Sequence, residues 1–295
     1  MAHLSVRLAA VLATLALTGP TVVMAQARER VAFVSVVDRK TGAPLDLVTP
    51  RDLVIREDGV AREVLKITPA TGPMPVAVLI DNSAAAEPAV QDLRSAVTAF
   101  VAGLGGVGPV AILTMADRPT VVTEYTHAAA TLAAGIGRLF SRPGSGVTTL
   151  DAVLETSRGL GKREGERAAI VVVSAGGAEL SSVGYTRALD ALKTSGATLH
   201  VVMLAPPGRR SLDDATRQRD TLFDRGVRAT GGFRRDVLSS MSFAPALADL
   251  ARALSQQFRV VYARPQTLIP PDSFAVAATA PGLIAYGTAA RGQPK

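Results

Sequence analysis

Three short stretches of this chain end on residues that carry oxygen. Val78-Leu79-Ile80 runs into Asp81-Asn82-Ser83-Ala84-Ala85, which offers one carboxylate and, two residues on, one hydroxyl. Gly144-Ser145-Gly146-Val147-Thr148-Thr149 sets two adjacent hydroxyls ahead of Leu150, and the apolar run at residues 169–173 ends in Ser174-Ala175-Gly176-Gly177. Such oxygens are what a hard cation takes: Mg²⁺ needs six of them at about 2.1 Å. They also serve structural ends. Asp81 can accept backbone N–H groups of the next loop, and Ser83 can cap the helix that follows.

Other chemistries are poorly supplied. The chain has no cysteine, which excludes thiol nucleophiles, zinc ribbons, iron–sulfur clusters and disulfides. His127 and His200 have no metal-ligand spacing, and no Gly-x-Ser-x-Gly elbow supports a Ser/His/Asp triad. Gly103-Leu104-Gly105-Gly106-Val107-Gly108 has dinucleotide-fingerprint spacing, but it closes a helix and precedes a strand, the reverse of what that motif needs. It reads as a helix end and loop. Asp213-Asp214 sits in a highly charged segment and reads as a solvated face.

The composition supports a globular chain. Of 295 residues 48% are hydrophobic and 19% charged, enough for one large or two smaller domains with their own cores. The formal charge is +7, but Lys and Arg are scattered. The densest basic patch, Arg209-Arg210 with Arg217 and Arg219, is diluted by Asp213, Asp214 and Asp220. With 4% aromatics and no Trp for stacking, nucleic acid is not an expected partner.

The N-terminus reads as a secretory signal peptide over residues 1–25: a single Arg7, an apolar core at residues 8–17, the turn Gly19-Pro20, and small residues before a cleavage site after Ala25. No later run reaches the length of a membrane span. The expectation is an exported protein, periplasmic or secreted, without stable membrane insertion after cleavage.

Residues 28–70 read as β structure, with Asp58-Gly59 as a hairpin turn between residues 53–57 and 61–67. After the Pro/Gly-rich joint at residues 69–75, strands and helices alternate through residues 74–258. Strands are expected at residues 76–80, 110–115, 121–122, 169–173 and 198–204; helices at 88–104, 128–140, 150–160, 185–195 (stopped by Gly196) and 244–258. Residues 259–288 return to β and are expected to pack with residues 28–70. The fold class is therefore α/β: a doubly wound, mostly parallel sheet with helices on both faces, plus a small β subdomain from the two terminal segments. In such a sheet ligands bind beyond the carboxyl ends of the strands, where the three oxygen-bearing stretches fall.

This order of parts resembles the von Willebrand factor A domain, whose metal-ion-dependent adhesion site is Asp-x-Ser-x-Ser after the first strand, a Thr before a later helix, and an Asp after the fourth strand. Asp81 and Ser83 match the first two positions; Ala85 stands where the second Ser is expected. Thr148 matches the Thr, with Thr149 beside it, and Ala175 replaces the final Asp. Val34-Ser35-Val36-Val37-Asp38, the hairpin at residues 53–59, Thr230-Gly231-Gly232 and residues 258–261 extend the likeness to the exported VWFA-related proteins of acidobacteria and similar lineages.

The resemblance implies a non-enzymatic, exported protein-binding or adhesion module. Its partner-binding face would carry Asp81, Ser83, Thr148, Thr149 and Ser174. Any metal would be held by Asp81, Ser83 and Thr148, but alanine has no donor atom, so Ala85 and Ala175 leave the site vestigial. No cofactor is expected, and Mg²⁺ or Mn²⁺ would bind weakly. The alternatives are a hydrolase or small-ligand binder using the sheet-top crevice, with His127 or His200, and a purely structural envelope protein. The sequence identifies neither the partner nor the oligomeric state.

Overall fold

A computed structural model describes residues 27–205, 213–266, 269 and 271–292. The signal peptide and the Arg209-Arg210 pair lie outside the described residues. The chain opens with β1 (Ala27–Asp38), β2 (Leu53–Glu57), β3 (Val60–Arg62) and β4 (Val64–Pro69). β5 (Val76–Ile80) then leads through a 3₁₀ turn (Ala84–Ala89) into α1 (Val90–Gly103). β6 (Val110–Thr114), β7 (Thr120–Thr126), α2 (Ala129–Gly137), α3 (Thr149–Gly161), β8 (Ala169–Ser174), α4 (Tyr185–Ser195) and β9 (Thr198–Leu204) follow. α5 (Asp214–Thr230), β10 (Arg234–Val237), α6 (Phe243–Ser255), β11 (Phe258–Pro265), β12 (Phe274–Ala278) and β13 (Leu283–Ala289) complete it.

β5 to β10 form one sheet in the order β10-β9-β8-β5-β6-β7, and only β7 runs antiparallel. Strands covered on both faces must be apolar throughout. All of β5 and β8 is accordingly buried. Val76, Val78 and Ile80 pack with Leu93, Val97 and Phe100 of α1 and with Leu247, Leu250 and Leu254 of α6. Leu79, Ile170 and Val172 turn the other way, onto Leu150 and Val153 of α3, Leu192 of α4 and Leu222 and Phe223 of α5. Each leucine so buried contributes roughly 1.5–3 kcal/mol.

The terminal segments meet, as the expected fold class requires. β1 is central in an antiparallel sheet ordered β13-β1-β11-β4, so both its neighbours come from the C-terminal segment. A second sheet, β12-β2-β3, closes over it around Val34, Ile55, Val260 and Tyr262. Asp58 and Gly59 have φ of 49° and 80°, the left-handed pair that a two-residue hairpin takes. The two sheets share a buried ionic centre in which Glu57 meets Arg62 at 3.0 Å and Arg264 at 3.2 Å and accepts from Tyr262 Oη at 2.9 Å.

Contacts of several kinds join this subdomain to the α/β domain. Ser35 Oγ donates to Ala253 O at 2.8 Å. Arg167, its pKa lowered by burial to about 10, donates to Gly72 O and Gln257 Oε1 and lies over the Phe33 ring. Thr230-Gly231-Gly232 is a docking block: Gly231, at φ +59°, ends α5 against the Gly287 carbonyl, and Gly232 lies against Leu199 O.

Four local readings change. α5 and β10 add to the expected elements; Asp213 and Asp214 are exposed, the expected solvated face, and Asp213 also caps α5, accepting from Thr216 N at 2.7 Å. α5 is dominated by Arg and Asp, so its buried stripe of Leu222, Phe223 and Gly226 is too sparse to show a period. α2 ends at Gly137, where Arg138 N and Leu139 N bond to Gly135 O and Ile136 O, three residues back instead of four. Residues 84–89 wind as a 3₁₀ turn ahead of α1. Phe258 opens β11 rather than ending α6.

Candidate functional site

The loops after the parallel strands lie at one end of the central sheet. Asp81 follows β5 directly and is fully buried. Its Oδ1 accepts from Ser83 N at 3.0 Å. Its Oδ2 accepts from Ala175 N at 2.9 Å, Ser174 Oγ at 3.3 Å and Gly177 N at 3.4 Å. The carboxylate therefore ties the loop after β5 to the loop after β8.

Ser83 stands at the cap position of the 3₁₀ turn but makes no cap bond. Its hydroxyl is buried without a partner, and Gly177 packs against it so closely that a methyl group there would overlap Oγ. Thr148 Oγ1 donates to Met115 O at 2.8 Å. Main-chain bonds close the rest of the floor: Arg142 N to Asn82 O, Ala84 N to Ser145 O, Thr148 N to Met115 O and Val147 N to Ala178 O. Asn82 Oδ1 accepts from Ala116 N at 2.9 Å. The sequence places these loops at one end of the sheet; the stitching is visible only in three dimensions.

Two residues outside the expected site complete the arrangement. Glu179 Oε1 accepts from Thr149 N at 2.9 Å and Ser181 Oγ at 2.5 Å, so it caps α3 from another loop while the Thr148 hydroxyl points elsewhere. Burial raises its pKa, with the hydrogen bonds and the Arg219 charge pulling the other way. Glu179 Oε2 and Thr149 Oγ1 are buried without partners. Arg219 projects from α5, almost wholly buried, and its Nη1 donates to Gly177 O at 2.7 Å. Folding puts Arg219 on the buried face of α5 with Thr216, Leu222, Phe223 and Gly226, a stripe too sparse to mark it in the sequence.

These oxygens do not fit a resident Mg²⁺ or Mn²⁺. Both Asp81 oxygens are engaged by fixed donors. Ala85 and Ala175 supply none, and Glu179 is committed to the α3 terminus. Among the described residues no three His, Cys, Asp or Glu side chains converge as a metal site.

The five side chains expected to form the partner-binding face, Asp81, Ser83, Thr148, Thr149 and Ser174, are all buried. They form the floor, not the surface. Loops at the same end of the sheet, after α2, β8 and β10, carry large exposed apolar side chains: Phe140 (62% exposed), Leu180 (59%), Leu238 (69%) and Met241 (75%). The two histidines lie elsewhere. His200 is buried within β9, 2.9 Å from Thr198 Oγ1 and edge-on to Tyr286. His127 follows β7 at the opposite end of the sheet, at the rim of a cleft of about 430 Å³ between α1 and α2.

Residues 76–178 match the family model of the von Willebrand factor type A domain. No curated protein matches the chain. Among solved structures, a von Willebrand factor type A protein from Catenulispora acidiphila is 10% identical; the match covers 90% of this chain and 63% of that one with a TM-score of 0.50. Proximal thread matrix protein 1 from the mussel byssus is 14% identical over 68% of this chain and 50% of that one, also at 0.50. An aerotolerance-related membrane protein from Bacteroides fragilis is 18% identical over 60% of this chain and 98% of that one, with a TM-score of 0.46. The α/β domain has the von Willebrand factor A fold.

Proposed function

We propose that this chain, whose α/β domain has the von Willebrand factor A fold, is an exported protein-docking module that binds through its strand-end loops without a resident metal ion. The observation that carries this reading is that Phe140, Leu180, Leu238 and Met241, each more than half exposed, all lie on loops at the strand-end side of the sheet, the side of the buried Asp81. Large apolar side chains gathered on one face mark contact sites. Anchors on a rigid support lose little freedom on binding, and the Leu139 and Phe140 carbonyls are held from behind by Arg94 and Asn82. The site is a degenerate adhesion site in which the former ligand positions have become structural. The chain fits the exported VWFA-related bacterial group, with a periplasmic or secreted location. No catalytic role is assigned to it: neither imidazole stands at the strand-end face, and the Thr198 hydroxyl that meets His200 is buried within β9.

The test is capture of partners from an envelope extract by the protein lacking residues 1–25, in Mg²⁺ and in EDTA, beside a Phe140→Ser/Leu238→Ser variant. The expected result is a partner set retained in EDTA and lost in the variant. Capture abolished by EDTA, or unchanged in the variant, overturns the reading.

A further inference from the structure

Two carboxylates, Asp81 and Glu179, are buried at the strand ends. A buried carboxylate is stable only when donors or a cation offset its lost hydration. Asp81 has four donors. Glu179 has Thr149 N and the Ser181 hydroxyl, and its Oε2 has no hydrogen-bond partner. The buried cation of this neighbourhood is Arg219, ion-paired with Asp220 at 3.4 Å; its charge also acts on Glu179 and its Nη1 holds Gly177 O. Gly177 also donates its N–H to Asp81, so one residue is held on one side by the carboxylate and on the other by the guanidinium.

We propose that Arg219 takes the electrostatic place of a divalent ion at the strand-end face: it is a positioning residue that fixes the loop at residues 175–182 in one arrangement and, by its charge, keeps Mg²⁺ out. The inference rests on this geometry and not on the docking reading. An ion can leave and return; a guanidinium on a packed helix cannot. The face is therefore set constitutively and does not respond to divalent cations. Restoring the missing oxygens is then insufficient to restore an ion site. Like charge at one face opposes cation binding, and with the Asp220 carboxylate offsetting part of the guanidinium charge the expected effect is roughly tenfold.

The experiment compares Mg²⁺ binding by calorimetry in Ala85→Ser/Ala175→Asp and in the same protein with Arg219→Gln. The expected result is weak binding in the first and roughly tenfold tighter binding in the second. Equal affinity in the two overturns the proposal. Should the triple variant fail to fold, hydrogen exchange at residues 175–182 decides. Arg219→Lys, which keeps a cation, should exchange within about twofold of the parent protein, and Arg219→Gln about tenfold faster. Mg²⁺ and EDTA should leave the parent rates unchanged. Equal exchange in Lys and Gln variants, or protection of the parent by Mg²⁺, overturns it.

Discussion

Gly231 and Gly287 approach so closely that a methyl group on Gly231 would overlap the Gly287 carbonyl. Gly231 ends α5 in the left-handed region at φ +59°, and Gly287 lies in β13 against Phe33 O. The contact is where the α/β domain seats on the terminal β subdomain. Gly231→Ala must bear both the backbone strain and the overlap, so a loss of at least about 3 kcal/mol is expected. Gly59→Ala, also at positive φ but open to solvent, should lose only about 1 kcal/mol. Urea unfolding of the two variants checks the ranking; equal losses would show that the subdomain contact is loose.

Asp81 is a fastener, and its removal should be read in stability. Asp81→Ala strands Ser83 N, Ala175 N and Gly177 N in a buried site. The expected cost is about 2–4 kcal/mol. Asp81→Asn, which retains one acceptor oxygen, should cost roughly half as much. An Asp81→Ala protein as stable as its parent would contradict the structural role.

Glu179 gives stability a dependence on pH with a definite sign. Burial raises its folded pKa above the usual 4.5, so the folded state holds the proton more tightly than the unfolded chain. Its contribution is fully present below about pH 4.5 and is lost as pH rises through the raised value. Glu179→Gln, which remains neutral and can still accept from Thr149 N, should gain on the parent as pH rises from 4 to 8. Parallel urea midpoints across that range would refute this.

His200 acts in the opposite direction. Burial lowers its pKa from 6.5 to about 3, so the imidazole is neutral in the fold. Stability from this residue is present above about pH 6.5 and falls as pH drops toward 3, by at most about 1.4 kcal/mol per pH unit. His200→Gln should flatten the acid limb of the stability curve. An unchanged acid limb would mean that water reaches the imidazole.

The apolar anchors should matter for contact and not for folding. Phe140→Ser and Leu238→Ser remove exposed side chains, and such substitutions usually fall within about 0.5 kcal/mol of the parent. Loss of partner capture at unchanged thermal midpoint is the expected signature. A large drop in the midpoint would place these residues in the core of the face instead.

What the sequence determined was the frame. The apolar runs of β5 and β8 required a sheet covered on both sides, Gly196 stopped α4, and Asp58-Gly59 turned the first hairpin. These are local signals, written within a few neighbouring residues, and they were enough to put Asp81, Thr148 and Ser174 at one end of the sheet. The tertiary structure decided what those residues do. Asp81 is separated from Ala175 by 94 positions, Thr149 from Glu179 by 30, and Gly177 from Arg219 by 42. A hydrogen bond across such a separation leaves no periodicity to read. Only packing shows that the expected binding side chains are the buried floor, that Arg219 supplies its cation, and that Phe140 stands exposed above it. A residue's chemistry is set by its type, but its partners and its access to water are set by what the folded chain brings beside it.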